Sequence, residues 1–166
     1  CNVDLKCFSE AGYSRLGGRL KPVLDSIEHL FISGCWVEIV TLIVPGFNDT
    51  PEELRNAAAF LAALSREIPW HVTAFYPTYK RTAATPTPPR LLERAWNIGK
   101  EAGLHYVYTG NMGGEMGHCE NTFCPHCGDL LIQRRGFHLL QNRITHETCP
   151  RCGSLIAGRL LDTPTP

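Results

Sequence analysis

The first apolar positions of the chain predict a strand followed by a helix. Val3, Leu5 and Phe8 indicate a short strand over residues 1–8, which ends in the polar sequence DLK. Helical spacing follows, with Pro22 suited to the first turn and Gly34 ending the pattern. The apolar positions of this helix are Val23, Leu24, Ile27, Leu30 and Phe31.

The next strand and helix have clearer patterns. Residues 35–44 are β-branched and almost continuously apolar, which is typical of a strand covered on both faces. Thr50 and Glu53 occupy the two positions of a capping box and predict the start of a helix. This helix has one apolar stripe, made of Leu54, Ala57, Ala58, Leu61 and Leu64.

Two further strands enclose a third helix. Residues 70–77 and 105–111 have strand-like composition. Between them, the proline-rich sequence PTYKRTAATPTPP predicts an irregular loop, and Pro88 is placed to open a helix that ends near Gly103. The stripe of this helix is Leu91, Leu92, Ala95 and Ile98.

Alternating strands and helices predict an α/β fold with parallel strands and right-handed crossovers. Two architectures fit this order: a part of a (β/α) barrel, or an open doubly wound sheet. In both, functional residues collect in the loops after the carboxyl ends of strands. The polar positions there are Asp4 and Lys6, Asn48 and Asp49, residues 76–80, and Asn111.

The end of the chain carries a four-cysteine pattern. Cys124 and Cys127 form one C-x2-C pair, and Cys149 and Cys152 form a second after 21 residues. Two such turns supply the tetrahedral thiolate shell that favours zinc, and we predict a structural zinc site. Iron with the same ligands, free thiols and a redox dithiol pair are the alternatives. The sequence between the pairs predicts a β-hairpin that turns at Gly136.

Composition and charge narrow the function classes. The chain has 166 residues, 43% of them hydrophobic, and 16 basic residues against 16 acidic ones, so no global charge recruits nucleic acid. Residues 124–161 are mildly basic, with five arginines against Asp129 and Glu147.

Neither a membrane span nor a signal peptide is visible, and we expect a cytoplasmic protein with no membrane partner. Because the chain begins with Cys1, we expect a longer protein.

Asp4 and Lys6 form the most suggestive polar pair. Their spacing in a strand places both side chains on the same face, within reach of one zwitterionic ligand. A simple salt bridge between them is the plainer interpretation, and the residues alone favour it.

Several phrases of the sequence together resemble one enzyme family. They are NVDLKCF, GGRLKPVLDSIEHL, WVEIVTLIVPGFNDTPEELRNAAAFL, WHVTAFYPTYK, ERAWNIGKEAGLHYVYTGN and ENTFCPHCGDLLIQRRG. In this order they resemble the carboxy-terminal part of a radical S-adenosylmethionine enzyme similar to pyruvate formate-lyase activating enzyme. More narrowly, they resemble the radical enzyme of the AmmeMemoRadiSam system, whose members end in such a four-cysteine ribbon.

The resemblance implies a fold, a chemistry and a set of ligands. It implies the C-terminal portion of a partial (β/α)6 TIM-like barrel over residues 1–118 and a small zinc ribbon over residues 119–166. A [4Fe-4S] cluster would reduce S-adenosylmethionine to a 5′-deoxyadenosyl radical, which abstracts hydrogen from a protein or small-molecule substrate. An electron donor such as a flavodoxin or a ferredoxin would supply the electron.

The resemblance also assigns cofactor contacts. The DLK strand end contacts the methionyl part of the cofactor in activating enzymes, so Asp4 and Lys6 become cofactor ligands. Residues 41–45, with Thr41, would line the cavity, and the sequence AFYPTYK would close over it. Tyr76 stands where close relatives usually have a histidine after the phenylalanine.

The chain departs from the family in one further respect. The CxxxCxxC loop that holds the cluster is absent, and Cys1, Cys7 and Cys35 cannot replace it because the cluster thiolates must converge from one loop. We therefore expect this chain alone to be inactive. We also expect it to self-associate through the open strand edge at residues 1–8.

Two rival functions remain at this point. One is a non-catalytic zinc-ribbon module that binds a protein or, less favoured by the charge, nucleic acid through Arg134, Arg135 and Arg143 with Phe137. The other is a degenerate subunit that complements a separate, cluster-bearing chain.

Overall fold

A four-stranded parallel sheet forms the centre of the computed structural model, which describes residues 1–79 and 84–158. The strands lie side by side in chain order, so each neighbouring pair is joined by a crossover connection. They are β1 (Asn2–Asp4), β2 (Glu38–Ile43), β3 (Trp70–Ala74) and β4 (Val107–Gly110). The predicted α/β class with parallel strands is confirmed.

Four helices connect these strands. They are α1 (Glu10–Arg15), α2 (Leu20–Ile32), α3 (Pro51–Leu64) and α4 (Pro89–Glu101). Ser9 caps α1 by accepting from the Gly12 amide, and Thr50 caps α3 by accepting from the Glu53 amide. The reciprocal half of the predicted capping box is not formed, because the Glu53 carboxylate accepts from the amide of Phe8 at 2.7 Å instead.

The two faces of the sheet have different environments. One face is buried against the helices and presents Ile39, Trp70, Val72 and Val107, all at most 3% exposed. The opposite face presents Glu38, Val40 and His71, which are only partly buried. The prediction that the second strand is covered on both faces is therefore wrong, since burial alternates along β2.

The C-terminal segment forms a second, antiparallel sheet. A 3₁₀ turn over Gly117–Glu120 leads to β5 (Thr122–Phe123), β6 (Leu130–Arg135) and β7 (His138–Asn142). The hairpin between β6 and β7 turns at Gly136, with φ of +58°, which confirms the predicted hairpin. We call residues 119–158 the ribbon. The division of the chain between residues 118 and 119 falls within the 3₁₀ turn and stays a prediction.

The ribbon has its own small hydrophobic cluster, which also includes buried Tyr106 and contacts Tyr108, two residues from outside the ribbon. Tyr106, which precedes β4, is 3% exposed and packs with the ribbon. The buried ribbon residues of the cluster are Cys124, Leu131, Ile132, Cys149 and Ile156. The ribbon is therefore attached to the sheet through apolar packing.

Within the described part of the chain, no helix is long and apolar enough to cross a bilayer.

Candidate functional site

Asp4 and Lys6 lie at the carboxyl end of β1, on the face of the sheet that the helices do not cover. Lys6 Nζ is 2.9 Å from Asp4 Oδ2, so the predicted salt bridge is present. The Asp4 side chain keeps 53% of its surface exposed, and the Lys6 side chain keeps 45%. Both remain accessible to a ligand that carries one ammonium and one carboxylate group, because the ion pair leaves other donors and acceptors unused.

Hydrogen bonds from three elements fix the backbone at this position. The carboxamide of Asn48 donates to the carbonyl oxygens of Lys6 at 2.7 Å and Leu42 at 2.8 Å. The Tyr13 hydroxyl accepts from the Lys6 amide at 3.1 Å, and Glu53 accepts from Phe8 as described. Sequence reasoning found Asn48 only as a polar loop residue and missed Tyr13, because both roles depend on distant backbone groups.

Thr41 lies on the other face of the sheet. Its side chain is 3% exposed, and its hydroxyl accepts from Trp70 Nε1 at 2.9 Å. Trp70 in turn packs against Gly99 of α4, which places the pair on the helix side. The expectation that Thr41 lines the open cavity is therefore not met by its side chain, because strand side chains alternate between faces. The structure does not bring Thr41 together with Asp4 and Lys6.

Tyr76 follows the carboxyl end of β3. Its side chain is 49% exposed, and its hydroxyl lies 3.5 Å from Met112 Sδ in the segment after β4. The strand end beside it is anchored by Thr87, whose hydroxyl accepts from the Phe75 amide at 2.9 Å and donates to the Ile43 carbonyl at 2.6 Å. The segment expected to close over the cavity runs to Lys80, and residues 80–83 lie outside the described residues.

The four ribbon cysteines converge as the sequence predicts. All four sulfur atoms lie within 4.8 Å of one another, and Sγ–Sγ distances of 3.7 Å separate Cys124 from Cys152 and Cys127 from Cys149. A tetrahedral zinc ion with Zn–S bonds of about 2.3 Å requires sulfur atoms about 3.8 Å apart. The residues present therefore fit a single tetrahedral metal ion.

The two CxxC turns are built alike. The amides of Gly128 and Gly153 donate to the carbonyls of Cys124 and Cys149 at 2.9 and 2.8 Å, and both glycines have φ of +72°. A positive φ is accessible to glycine at little cost, which lets each chain fold back around its cysteine pair. Among the described residues, no other set of three or more Cys, His, Asp or Glu side chains converges in this way.

One ligand sulfur has a lowered proton affinity. The Ser154 hydroxyl lies 3.4 Å from Cys152 Sγ. Together with the Ser154 backbone amide it lowers the pKa of the Cys152 thiol, whereas the pKa of the neighbouring Cys127 thiol is raised. A thiolate is the metal-binding form of cysteine, so the environment of Cys152 favours its role as a metal ligand. Cys119 differs, because burial raises the pKa of its thiol to about 11.

The arginines proposed for nucleic-acid binding are largely engaged within the ribbon. Arg134 donates to Thr122 Oγ1 at 2.9 Å, and its guanidinium lies 5.5 Å from the centre of the Tyr108 ring. Arg143 pairs with Asp129 at 3.0 Å. Phe137 at the hairpin tip is fully exposed.

Comparison with known proteins gives a sequence relative and structural neighbours. No family model matches the chain. An uncharacterized protein of Methanocaldococcus jannaschii, MJ0808, is 40% identical over 158 residues, which cover 93% of this chain and 47% of that protein. The chain therefore spans about half the length of this curated relative.

One structural neighbour is a crystal structure of a domain of pyruvate-formate lyase-activating enzyme from Bacteroides vulgatus. The TM-score is 0.57 with 17% sequence identity, and the match covers 66% of each chain. The fold of this chain is thus similar to that of a domain of pyruvate-formate lyase-activating enzyme.

Proposed function

We propose that this chain is the C-terminal part of a radical S-adenosylmethionine enzyme of the activating-enzyme type, close to the AmmeMemoRadiSam branch. The whole protein would cleave S-adenosylmethionine with a [4Fe-4S] cluster and abstract hydrogen from a protein or small-molecule substrate. The observation that carries this proposal is the accessible Asp4 and Lys6 pair at the carboxyl end of a parallel strand. The likeness to the activating-enzyme domain supports it.

The chemistry of the pair suits the methionyl end of the cofactor. That end carries one α-ammonium and one α-carboxylate group, which match a carboxylate and an ammonium on neighbouring positions of one strand face. Exposed ion pairs contribute only about 0–1 kcal/mol, so exchanging the Asp4–Lys6 contact for two ligand contacts costs little. Asn48, Tyr13 and Glu53 hold the strand end in place, which reduces the entropy lost on binding.

The described residues contain no set of cysteines that fits a substrate-binding [4Fe-4S] cluster. Cys1, Cys7 and Cys35 do not converge, and within residues 1–79 and 84–158 the converging set of thiols is that of the ribbon. These four thiols would surround a single ion and leave it no open position, whereas a cluster that binds S-adenosylmethionine needs one. We therefore assign no step of the reaction to this chain beyond binding the cofactor's methionyl group.

The ribbon metal belongs to the same proposal in a structural role. A closed shell of four thiolates is typical of structural zinc, and the ribbon buries few apolar side chains of its own. We propose zinc as the resident ion, with iron as the alternative that metal analysis distinguishes.

Binding of S-adenosylmethionine tests the proposed function. Equilibrium dialysis of the full-length gene product, prepared without oxygen, should show saturable binding that weakens at least about tenfold in Asp4→Asn and Lys6→Met. Asp25→Asn is the matched control, because Asp25 is exposed on α2 and pairs with Lys21 on the same helix. Absence of binding, or equal affinity in all four proteins, would refute the assignment. Formation of 5′-deoxyadenosine after reduction then tests the radical step.

A further inference from the structure

A surface groove lies between α3 and α4, in the helix layer of the molecule. Its volume is about 380 Å³, within the range of about 300–1,000 Å³ that is usual for small-molecule sites. Pro51 and Arg55 of α3 form one wall, and α4 forms the other. Asp4 and Lys6 lie on the face of the sheet that the helices do not cover. The groove is therefore separate from the proposed cofactor contacts.

Three arginines meet at one end of the groove. Arg90 and Arg94 are one turn apart on α4, and side chains at this spacing are neighbours, with about 5–6 Å between Cβ atoms. Arg55 lines the groove from α3, which packs against α4. Both helices follow parallel strands, so they run in the same direction and their N-terminal halves lie side by side. All three arginines belong to these N-terminal halves.

Within the part of the chain that the structure describes, no ion pair, hydrogen bond or aromatic ring engages the guanidinium groups of Arg55, Arg90 and Arg94. Arg134 and Arg143, by contrast, are bonded within the ribbon. Each of the three groove guanidinium groups thus keeps five N–H donors in a planar fork that matches an oxyanion. Because like charges one turn apart repel each other, a bound anion would also relieve the repulsion between Arg90 and Arg94.

The two carboxylates that line the groove are set apart from its arginine end. Glu101 lies seven residues after Arg94, which is about 10 Å along the helix axis. Glu93 lies on the flank of α4 that faces the 3₁₀ turn, where burial raises the pKa of the Cys119 thiol and the charge of Glu93 adds to this effect. Among the described residues, neither carboxylate forms an ion pair with an arginine of the groove. The arginine end is therefore positively charged.

We propose that the arginine end of this groove binds a phosphate group. Three guanidinium groups on two helices can donate to different oxygens of one phosphate, and such charge-assisted hydrogen bonds are short and strong. A carboxylate has two oxygens and one charge, so it would leave part of this donor set unused. The groove continues along α4 to Asn97, which leaves room for an organic body attached to the phosphate.

This site goes beyond the proposed radical chemistry. None of its residues takes part in the proposed binding of S-adenosylmethionine, and no measurement below uses that cofactor. Failure of the phosphate site and failure of the proposed function would therefore be seen in separate experiments.

Glycerol 3-phosphate is a suitable probe, with glycerol and inorganic phosphate as matched compounds. It is titrated calorimetrically into the metal-loaded, full-length gene product at constant ionic strength, because salt screens exposed charges. We expect saturable binding of glycerol 3-phosphate and none of glycerol. The double variant Arg90→Gln/Arg94→Gln should bind at least about tenfold more weakly, since it removes two charged donors.

Arg19→Gln is the matched control, because Arg19 is exposed at the start of α2 and does not line the groove. Its affinity for glycerol 3-phosphate should equal that of the wild type. Tighter binding of glycerol 3-phosphate than of inorganic phosphate would identify a phosphate ester as the ligand. Equal or tighter binding of inorganic phosphate would identify the free ion, and both results support a phosphate site.

Arginine footprinting locates the probe without any substitution. Phenylglyoxal modifies accessible guanidinium groups, and mass spectrometry of peptides identifies the modified residues. Glycerol 3-phosphate should protect Arg55, Arg90 and Arg94 and leave Arg19 reactive. No saturable binding, full affinity in a folded Arg90→Gln/Arg94→Gln variant, an equal loss in Arg19→Gln, or protection that spares the groove would each overturn the proposal.

Discussion

The side-chain amide of Asn48 donates to the carbonyl oxygen of Lys6 at 2.7 Å and so fastens the carboxyl end of β1 to the loop after β2. Asn48 is 1% exposed, and its carboxamide oxygen also accepts from the Val44 amide at 2.7 Å. One side chain thus satisfies three backbone groups that the sheet does not.

Asn48→Ala should lower the free energy of unfolding by about 2–4 kcal/mol, because it leaves buried backbone groups without partners. Urea denaturation followed by circular dichroism measures this change. The control is Asp49→Ala, which removes one exposed hydrogen bond to the Gly46 amide and should cost less than about 1 kcal/mol. Equal effects of the two substitutions would show that the Asn48 contacts do not stabilise the fold.

Gly99→Ala should destabilise the protein although alanine favours helices. A Cβ atom at Gly99 would lie 2.9 Å from both Trp70 Cε3 and Val107 Cγ2, and both neighbours are fully or almost fully buried. Helix propensity favours alanine by about 1 kcal/mol, whereas overpacking costs about 1–3 kcal/mol. Thermal unfolding should therefore show a lower Tm, and a higher Tm would mean that α4 moves away from the sheet without cost.

Metal analysis tests the four-cysteine centre. We expect one equivalent of zinc per chain by mass spectrometry, and its loss in Cys124→Ser or Cys149→Ser, because each removes one of four converging thiolates. Cys119→Ala is the control, since Cys119 is also buried but lies outside the cluster. Cobalt substitution should give the thiolate charge-transfer bands of a tetrahedral site. Full metal content in the Cys124→Ser variant would contradict the assignment.

Acid should weaken the contribution of Glu38 to stability. The pKa of Glu38 is lowered from 4.5 to about 2 in the folded protein, first by the hydrogen bond from His71. Its stabilising contribution is therefore complete above pH 4.5 and is lost as the pH falls towards 2.

A comparison with Glu38→Gln isolates this contribution. Since the Glu38 side chain is 37% exposed, solvent screening limits the effect to about 1–2 kcal/mol. The difference in unfolding free energy between wild type and variant should shrink over this pH interval. Loss of the ribbon metal in acid affects both proteins and cancels in the difference. A constant difference from pH 6 to pH 2 would disprove the lowered pKa.

The periodicity of apolar residues predicted the order of the main elements, because strand and helix spacing are local properties. The convergence of the four cysteines was also predictable, since two CxxC turns constrain their sulfurs locally. The face of the sheet on which Thr41 lies could not be predicted. The sequence around it is almost continuously apolar, so it does not show which side chains point to which face, although burial alternates along β2.

The contact between Glu38 and His71 was also invisible in the sequence. His71 alone suggested a hydrogen-bonded core residue, and Glu38 gave no signal. Their contact depends on the register that pairs Val40 of β2 with His71 of β3. The position of the ribbon on the sheet depends on packing between segments distant in sequence, which no local pattern specifies.

Tyr106 connects the two parts of the molecule in a way that affects how they unfold. Its carbonyl accepts from the Trp70 amide within the parallel sheet, while its ring is buried in the hydrophobic cluster of the ribbon. Loss of order in the ribbon would therefore uncover a ring that the sheet backbone holds in place. Metal binding at the four cysteines should therefore stabilise the sheet as well as the ribbon. We expect the two parts to unfold in one cooperative transition.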